Sequence, residues 1–201
     1  MVTPLSHAAL SFFTPIVVKG GELIVLGRFD PAEVLKTIEE QRITATFLVP
    51  SMLYALMDHP DSRTRDLSSL ETVYYGASAI NPIRLAEAIE RCGPIFAQVY
   101  GQAEAPMAIT YLAKGDHDEK RLTSCGRPTL FARTALLGED GNPVPQGEIG
   151  EICVSGPLLA GGYWNLPDAT AEPSATAGCT PATWPARTRT ASGSSSTASR
   201  T

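Results

Sequence analysis

Long apolar runs, paired cysteines and basic clusters are what this chain does without. A membrane span needs about 18 consecutive apolar residues. The best candidate, Ala8 to Val18, is short and is interrupted by Pro15. No basic residue precedes that run and no small-residue cleavage site follows it, so it does not read as a leader peptide and is expected to form a buried helix. The four cysteines (Cys92, Cys125, Cys153 and Cys179) are widely separated, with no C-x-x-C pair and no Cys/His cluster. That spacing excludes a zinc-ribbon pattern and a disulfide framework, and fits reduced thiols in a cytoplasmic protein. A net charge of -5, from 16 Lys and Arg against 21 Asp and Glu, leaves no basic footprint for nucleic acid. No G-x-G-x-x-G follows a strand-like segment, which argues against a dinucleotide-binding oxidoreductase. Internal repeats are absent too.

What remains is an ordinary globular composition, 43% hydrophobic and 18% charged over 201 residues, enough for a real core. From Gly20 to Val154 strand-like and helix-like segments alternate. Glu22–Leu26, Thr44–Val49, Thr72–Tyr75 and Pro94–Val99 read as strands. Between them, Asp30-Pro31-Ala32-Glu33 opens a helix: Asp30 can cap, and Pro31 suits the first helical position. Pro50-Ser51 and Pro82 open two more, and Pro82 to Arg91 carries the last. Such alternation implies crossover units, and therefore a mostly parallel sheet flanked by helices. After Gly126 the pattern changes. Arg133–Leu137, a turn at Asp140-Gly141 and Glu148–Val154 predict a smaller antiparallel β portion.

The densest chemistry lies where the fourth strand ends, at Tyr100-Gly101-Gln102-Ala103-Glu104. A ring offers a stacking face, a glycine lets a ligand approach the backbone, and a carboxylate can hold a hard cation beside phosphate oxygens. Further segments accompany it: Thr3-Pro4-Leu5-Ser6-His7, Tyr75-Gly76-Ala77-Ser78, Ser124-Cys125-Gly126-Arg127-Pro128, Gly147-Glu148-Ile149-Gly150-Glu151-Ile152 and Gly162-Tyr163-Trp164. In order and spacing the set resembles the AMP-forming acyl-CoA synthetases of the adenylate-forming superfamily, over Val2 to Glu172.

The resemblance implies a partial N-terminal adenylation domain over residues 1–172 and an α/β fold of the type just described. It implies ATP, Mg²⁺ and CoA as cofactor and co-substrates, and a small-molecule carboxylic acid as substrate, fatty or aromatic. By position, Gly76, Ala77 and Ser78 match the loop lining the adenine and acyl-carbonyl region, with small residues leaving room for a flat ligand. Tyr100 matches the aromatic that packs on adenine, and Gly101 and Gln102 continue that nucleotide wall. Glu104 matches the magnesium-binding glutamate. His7 matches a histidine bordering the acyl or nucleotide pocket, so His7 and Glu104 are the catalytic candidates. One departure stands out: the family carries threonine or serine where this chain has Ala103, which cannot donate a hydrogen bond to phosphate. Gly156, Gly161 and Gly162 read as turn glycines, and His59 and His117 as surface or packing residues.

From Ser174 to Thr201 there is no Asp, Glu, Lys, Leu, Ile, Val, Phe, Met or Tyr. A segment so poor in apolar side chains cannot offset its chain entropy, so residues 173–201 are expected to be a disordered tail. Back-translation suggests its origin. With one base restored after Glu172, synonymous codons allow T-F-R-D-G-W-L-H-T-G-D-L-A from Pro173 onward. Cys179 followed by Thr180 then permits only His or Tyr, and Trp184 followed by Pro185 forces Ala. The restored T-G-D carries the aspartate that holds ribose hydroxyls in the family, so the tail is read as out of frame. The family's phosphate loop and its lid domain with the catalytic lysine have no counterpart in the 201 residues, which are expected to be inactive alone. A non-catalytic remnant or interaction fragment is the alternative, as is an aryl-acid ligase or adenylation domain of the same superfamily.

Overall fold

The computed structural model describes residues 1–6, 8–138 and 140–170 and the strand at 183–186. The chain forms two compact units, Met1–Val99 with Leu112–Thr123, and Tyr100–Tyr111 with Ser124–Thr201.

The first unit is built as the alternation predicts. Helices α1 (Ala8–Val18), α2 (Pro31–Glu40), α3 (Pro50–Asp58) and α4 (Pro82–Cys92) accompany strands β1 (Ala45–Leu48), β2 (Thr72–Gly76) and β3 (Phe96–Gln102). The strands run parallel, with Phe47 beside Tyr74 and Val73 beside Phe96. Helix starts follow local chemistry: Asp30 accepts from the Glu33 amide at 3.0 Å, worth about 1 kcal/mol. Asn81 accepts from the Ile83 and Arg84 amides, and its own amide donates to the Tyr54 hydroxyl at 2.7 Å. Leu35, Phe47, Leu48, Tyr75, Leu85 and Phe96 are fully buried and form the core, with burial of each large side chain contributing about 1.5–3 kcal/mol.

In the second unit β4 (Ala105–Leu112) pairs antiparallel with β5 (Arg127–Pro128). β6 (Arg133–Leu137) pairs antiparallel with β7 (Glu151–Ser155), and β7 with β8 (Thr183–Ala186). The turn at Asp140-Gly141 forms as expected, with the Asn142 amide donating to Asp140 Oδ1 at 3.0 Å. Ala105, Ile109, Ile152 and Val154 make the apolar centre of this unit.

Four expectations need correction. Glu22–Leu26 forms no strand: its ladder is limited to Leu26 donating to the Met1 carbonyl and the Met1 amino group donating to Ile24. Ala8–Val18 is helical but only half-buried. Ala9 and Phe12 face inward, Phe12 packing on Phe47 and Tyr74, while Leu10 is 56% and Val18 80% exposed. Ala105–Leu112 is a strand that periodicity did not reveal. Within the 173–201 tail, Thr183–Ala186 is paired rather than disordered, because a β-ladder uses main-chain groups that every composition supplies. The rest of that tail lies outside the described residues. No helix among the described residues is long and apolar enough to cross a membrane.

His117, expected as a plain surface or packing residue, joins the first unit's core. Its Nδ1 lies 2.9 Å from the Ala113 carbonyl, which can only accept, so Nδ1 carries the proton and Nε2 accepts from the Tyr75 hydroxyl at 3.0 Å. Burial pushes the Tyr75 phenol well above its ordinary range. It also holds the His117 imidazole below its ordinary 6.5, against the opposing pull of the Ala113 and Lys114 carbonyls and Asp116. A histidine whose folded value is depressed favours the folded state above 6.5 and loses that contribution as pH falls through the folded value. Stability measured by urea unfolding should therefore drop as pH goes from 7 to 5, and His117→Gln should flatten that dependence.

Candidate functional site

Gly76, Ala77 and Ser78 belong to the first unit. β2 ends at Gly76, where a β-carbon would stand 2.2 Å from the Val99 carbonyl oxygen. The space a side chain would take at Gly76 is filled by β3, so strand packing requires a glycine here. Ala77 takes φ of 68°, a left-handed conformation that costs a residue with a β-carbon about 1 kcal/mol and marks a backbone held by its surroundings. Those surroundings are the buried Tyr75–His117 pair before the loop and the Asn81 cap after it. Ala77 and Ser78 themselves are exposed. A fixed, exposed loop with small side chains can present its backbone amides and carbonyls to a ligand.

Tyr100 to Glu104 lie in the second unit. Ala103 and Glu104 form the two-residue turn between β3 and β4. Gly101 is required there by its neighbours: a β-carbon would lie 2.2 Å from the Met107 nitrogen and 2.6 Å from the Ala105 carbonyl oxygen. This glycine serves the close approach of the hairpin's own backbone. Tyr100 packs its ring on the Ala105, Ile109, Ile152 and Val154 cluster, and Gln102 Nε2 lies 3.5 Å from its hydroxyl. Ala103 is exposed, so the missing hydroxyl at this position faces open space.

Glu104 is half-buried and held from two sides by one segment. The Ala160 amide donates to its main-chain carbonyl at 2.8 Å, and the Tyr163 hydroxyl donates to Oε1 of its carboxylate. The bond to Glu104 raises the Tyr163 phenol above its ordinary value. Tyr163 is fixed in turn: its amide donates to Thr170 Oγ1 at 2.9 Å, and that hydroxyl donates to the Leu166 carbonyl at 2.9 Å. Sequence reasoning placed Gly162-Tyr163-Trp164 in the motif set but gave Tyr163 no role. The only available signal was a phenol in a motif shared with Glu104, at a separation that composition alone cannot close.

His7 lies outside the described residues. Among the described residues no group of three His, Cys, Asp or Glu side chains could hold a metal. A single carboxylate does fit Mg²⁺, which keeps several waters and uses one or two carboxylates with substrate phosphates. Glu104 is the residue here with that donor chemistry, at an accessible turn. Of the calcium, zinc and magnesium patterns, only the last is met by so few protein ligands.

The comparisons agree on what this arrangement is. Over 172 residues the chain is 84% identical to a medium/long-chain-fatty-acid–CoA ligase, FadD8, of Mycobacterium tuberculosis, covering 86% of this chain and 30% of that protein. A feruloyl-CoA synthase of Amycolatopsis is 41% identical over 174 residues, covering 86% of this chain and 35% of that one. The solved structure of the amide bond synthetase McbA from Marinactinospora thermotolerans superposes with a TM-score of 0.80 at 38% identity, covering 84% of this chain and 34% of that chain. The chain thus spans about a third of the length of the relatives it matches. With residues 1–164 matching the AMP-binding enzyme family, and the mostly parallel, helix-flanked sheet matching its solved members, the chain belongs to that family.

Proposed function

We propose that these residues form part of an ATP-dependent carboxylic acid–CoA ligase, with a fatty acid as the substrate. The observation that carries the reading is the end of the β3–β4 hairpin: a fixed carboxylate, Glu104, four residues from the ring of Tyr100. The 84% identity to a fatty-acid–CoA ligase supports the choice of acid, and the more distant feruloyl-CoA synthase keeps an aromatic acid as the second reading. Cytoplasmic placement belongs to the same proposal and is in keeping with the free thiols of Cys92 and Cys125.

In the proposed reaction an oxygen of the acid's carboxylate attacks the α-phosphorus of ATP and pyrophosphate leaves, giving the acyl-adenylate. The CoA thiolate then attacks the acyl carbon and AMP leaves. Bound Mg²⁺ would supply charge neutralisation on the phosphates, and Glu104 is the residue that would hold it. In its own unit, Tyr100 would offer its ring to the nucleotide; the Gly76-Ala77-Ser78 loop of the other unit is proposed to line the adenine and acyl-carbonyl region, and such positioning is what the reaction needs. His7 is proposed at the border of the acyl or nucleotide pocket.

The tail belongs to the same proposal. The identity of 84% extends over 172 residues, the number that precede Pro173, and this supports a lost base after Glu172. Resequencing the locus tests it: an intact frame across codon 173 removes the idea. The 201-residue polypeptide alone is proposed to be inactive.

Two measurements check the enzymatic reading on the frame-restored gene product. With a panel of fatty and aromatic acids, pyrophosphate release should be acid-dependent, and Glu104→Gln should lower it about a hundredfold. An enzyme indifferent to Glu104→Gln would sink the assignment. Ala103→Thr restores a hydroxyl at an exposed turn and should tighten ATP binding about three- to tenfold, the net effect of one added hydrogen bond at a solvent-exposed position, as read by calorimetric titration.

A further inference from the structure

The carboxylate of Glu104 is not simply displayed on a turn; it is aimed. We propose that Tyr163 is a positioning residue that fixes the Glu104 carboxylate for cation binding, and that the 160–170 segment is the device that sets it. This rests on the reading of Glu104 as the cation-holding residue.

The geometry has three parts, all within the second unit. First, the Tyr163 hydroxyl donates to Oε1 of Glu104, which restricts the orientations open to the carboxylate. Second, the main chain of Glu104 is held by the same segment, through the Ala160 amide and the Glu104 carbonyl at 2.8 Å. Backbone and side chain are therefore located by one piece of chain, so they cannot drift independently. Third, Tyr163 is itself located by Thr170, whose Oγ1 accepts from the Tyr163 amide and donates to Leu166. Thr170 also explains the glycine before the tyrosine. Gly162 has φ of 143°, and a β-carbon there would lie 2.8 Å from Thr170 Cγ2. Glycine at 162 thus lets the chain close on Thr170 and bring the phenol to the carboxylate.

A lone carboxylate on a two-residue turn would sample several rotamers, and each cation bound would have to order it. A hydrogen bond that fixes the ligand's orientation removes that cost, and partners of this outer kind shift metal affinity about ten- to a hundredfold. Phenylalanine at 163 keeps the ring and deletes only the donor. The effect on the cation should therefore be separable from any effect on the fold.

Mn²⁺ added alone to the ¹⁵N-labelled 201-residue chain provides the readout, because its paramagnetism broadens amide signals near the bound ion. In the unsubstituted chain the signals of residues 101–105 should broaden. Tyr163→Phe should require about tenfold more Mn²⁺ for the same broadening, with the remaining spectrum unchanged, and Glu104→Gln should abolish it. Thr170→Val should shift the titration in the same direction by a smaller factor. Equal titrations for the unsubstituted chain and Tyr163→Phe would overturn the proposal, as would broadening that never centres on residues 101–105. A parallel ATP titration separates the two readings. If Mn²⁺ titrates as stated but ATP does not bind, the nucleotide reading fails and the role of Tyr163 stands. If ATP binding is Mg²⁺-dependent and Tyr163→Phe leaves that dependence unchanged, the reading stands and the role of Tyr163 falls.

Discussion

The approach of β4 to Gly101, with the Met107 nitrogen 2.2 Å and the Ala105 carbonyl oxygen 2.6 Å from where a β-carbon would stand, governs the candidate site. A hairpin this close admits no side chain at position 101, so the two strands run in contact up to a two-residue turn. Ala103 and Glu104 fill that turn, and the turn's tightness gives Glu104 a defined main-chain position before any side chain acts on it. Met107 takes φ of 54° opposite the glycine, a left-handed conformation in a residue with a β-carbon, and it shows that the second strand bends to allow the approach. Carboxylate, ring and turn follow from that single steric constraint. The Tyr163 hydroxyl then orients a carboxylate whose origin is already fixed.

Gly76 obeys the same logic in the first unit. The Val99 carbonyl oxygen occupies the place of its missing side chain, and only after that strand contact does the chain turn out into Ala77 and Ser78. Both glycines sit in motifs that suggest ligand contact, and in both the nearest demand is backbone packing. In both places strands meet closely first and a loop leaves their ends, the usual division between a rigid scaffold and the loops it carries. Ala77 in its left-handed conformation is where the two demands meet.

Much of the first unit was legible because its signals are local. Asp30-Pro31 places a capping oxygen and a preset φ at a helix start, and that cap forms with the Glu33 amide; Pro82 likewise marks the start of α4, where Asn81 supplies the cap. β1 and β2 fall within one residue of their apolar runs, and β3 runs three residues past the end of its own. Glu22–Leu26 has the same composition yet forms no ladder, since strand formation depends on a neighbour that composition does not name. Ala105–Leu112 failed in the opposite direction: Ala-Pro-Met-Ala-Ile-Thr-Tyr-Leu shows neither alternation nor a β-branched run, and its pairing decides its state. At the site, Glu104 was readable from its motif. Tyr163 was not, because the contact closes a sequence separation of 59 residues through a turn set by Gly162 and Thr170.

The strand at Thr183–Ala186 brings the fold and the frame question together. β7 offers an edge of main-chain donors and acceptors, and a passing segment can pair with it whatever its side chains are. Register sets Cys153 beside Pro185, the one residue of the four without an amide proton, and proline is tolerated there because β8 is the edge of its sheet. In the restored frame that position becomes alanine, as the Trp184–Pro185 codons require. On the proposed reading the T-G-D carboxylate belongs to the restored frame alone, whereas the edge of β7 asks mainly for main-chain groups from the segment that meets it.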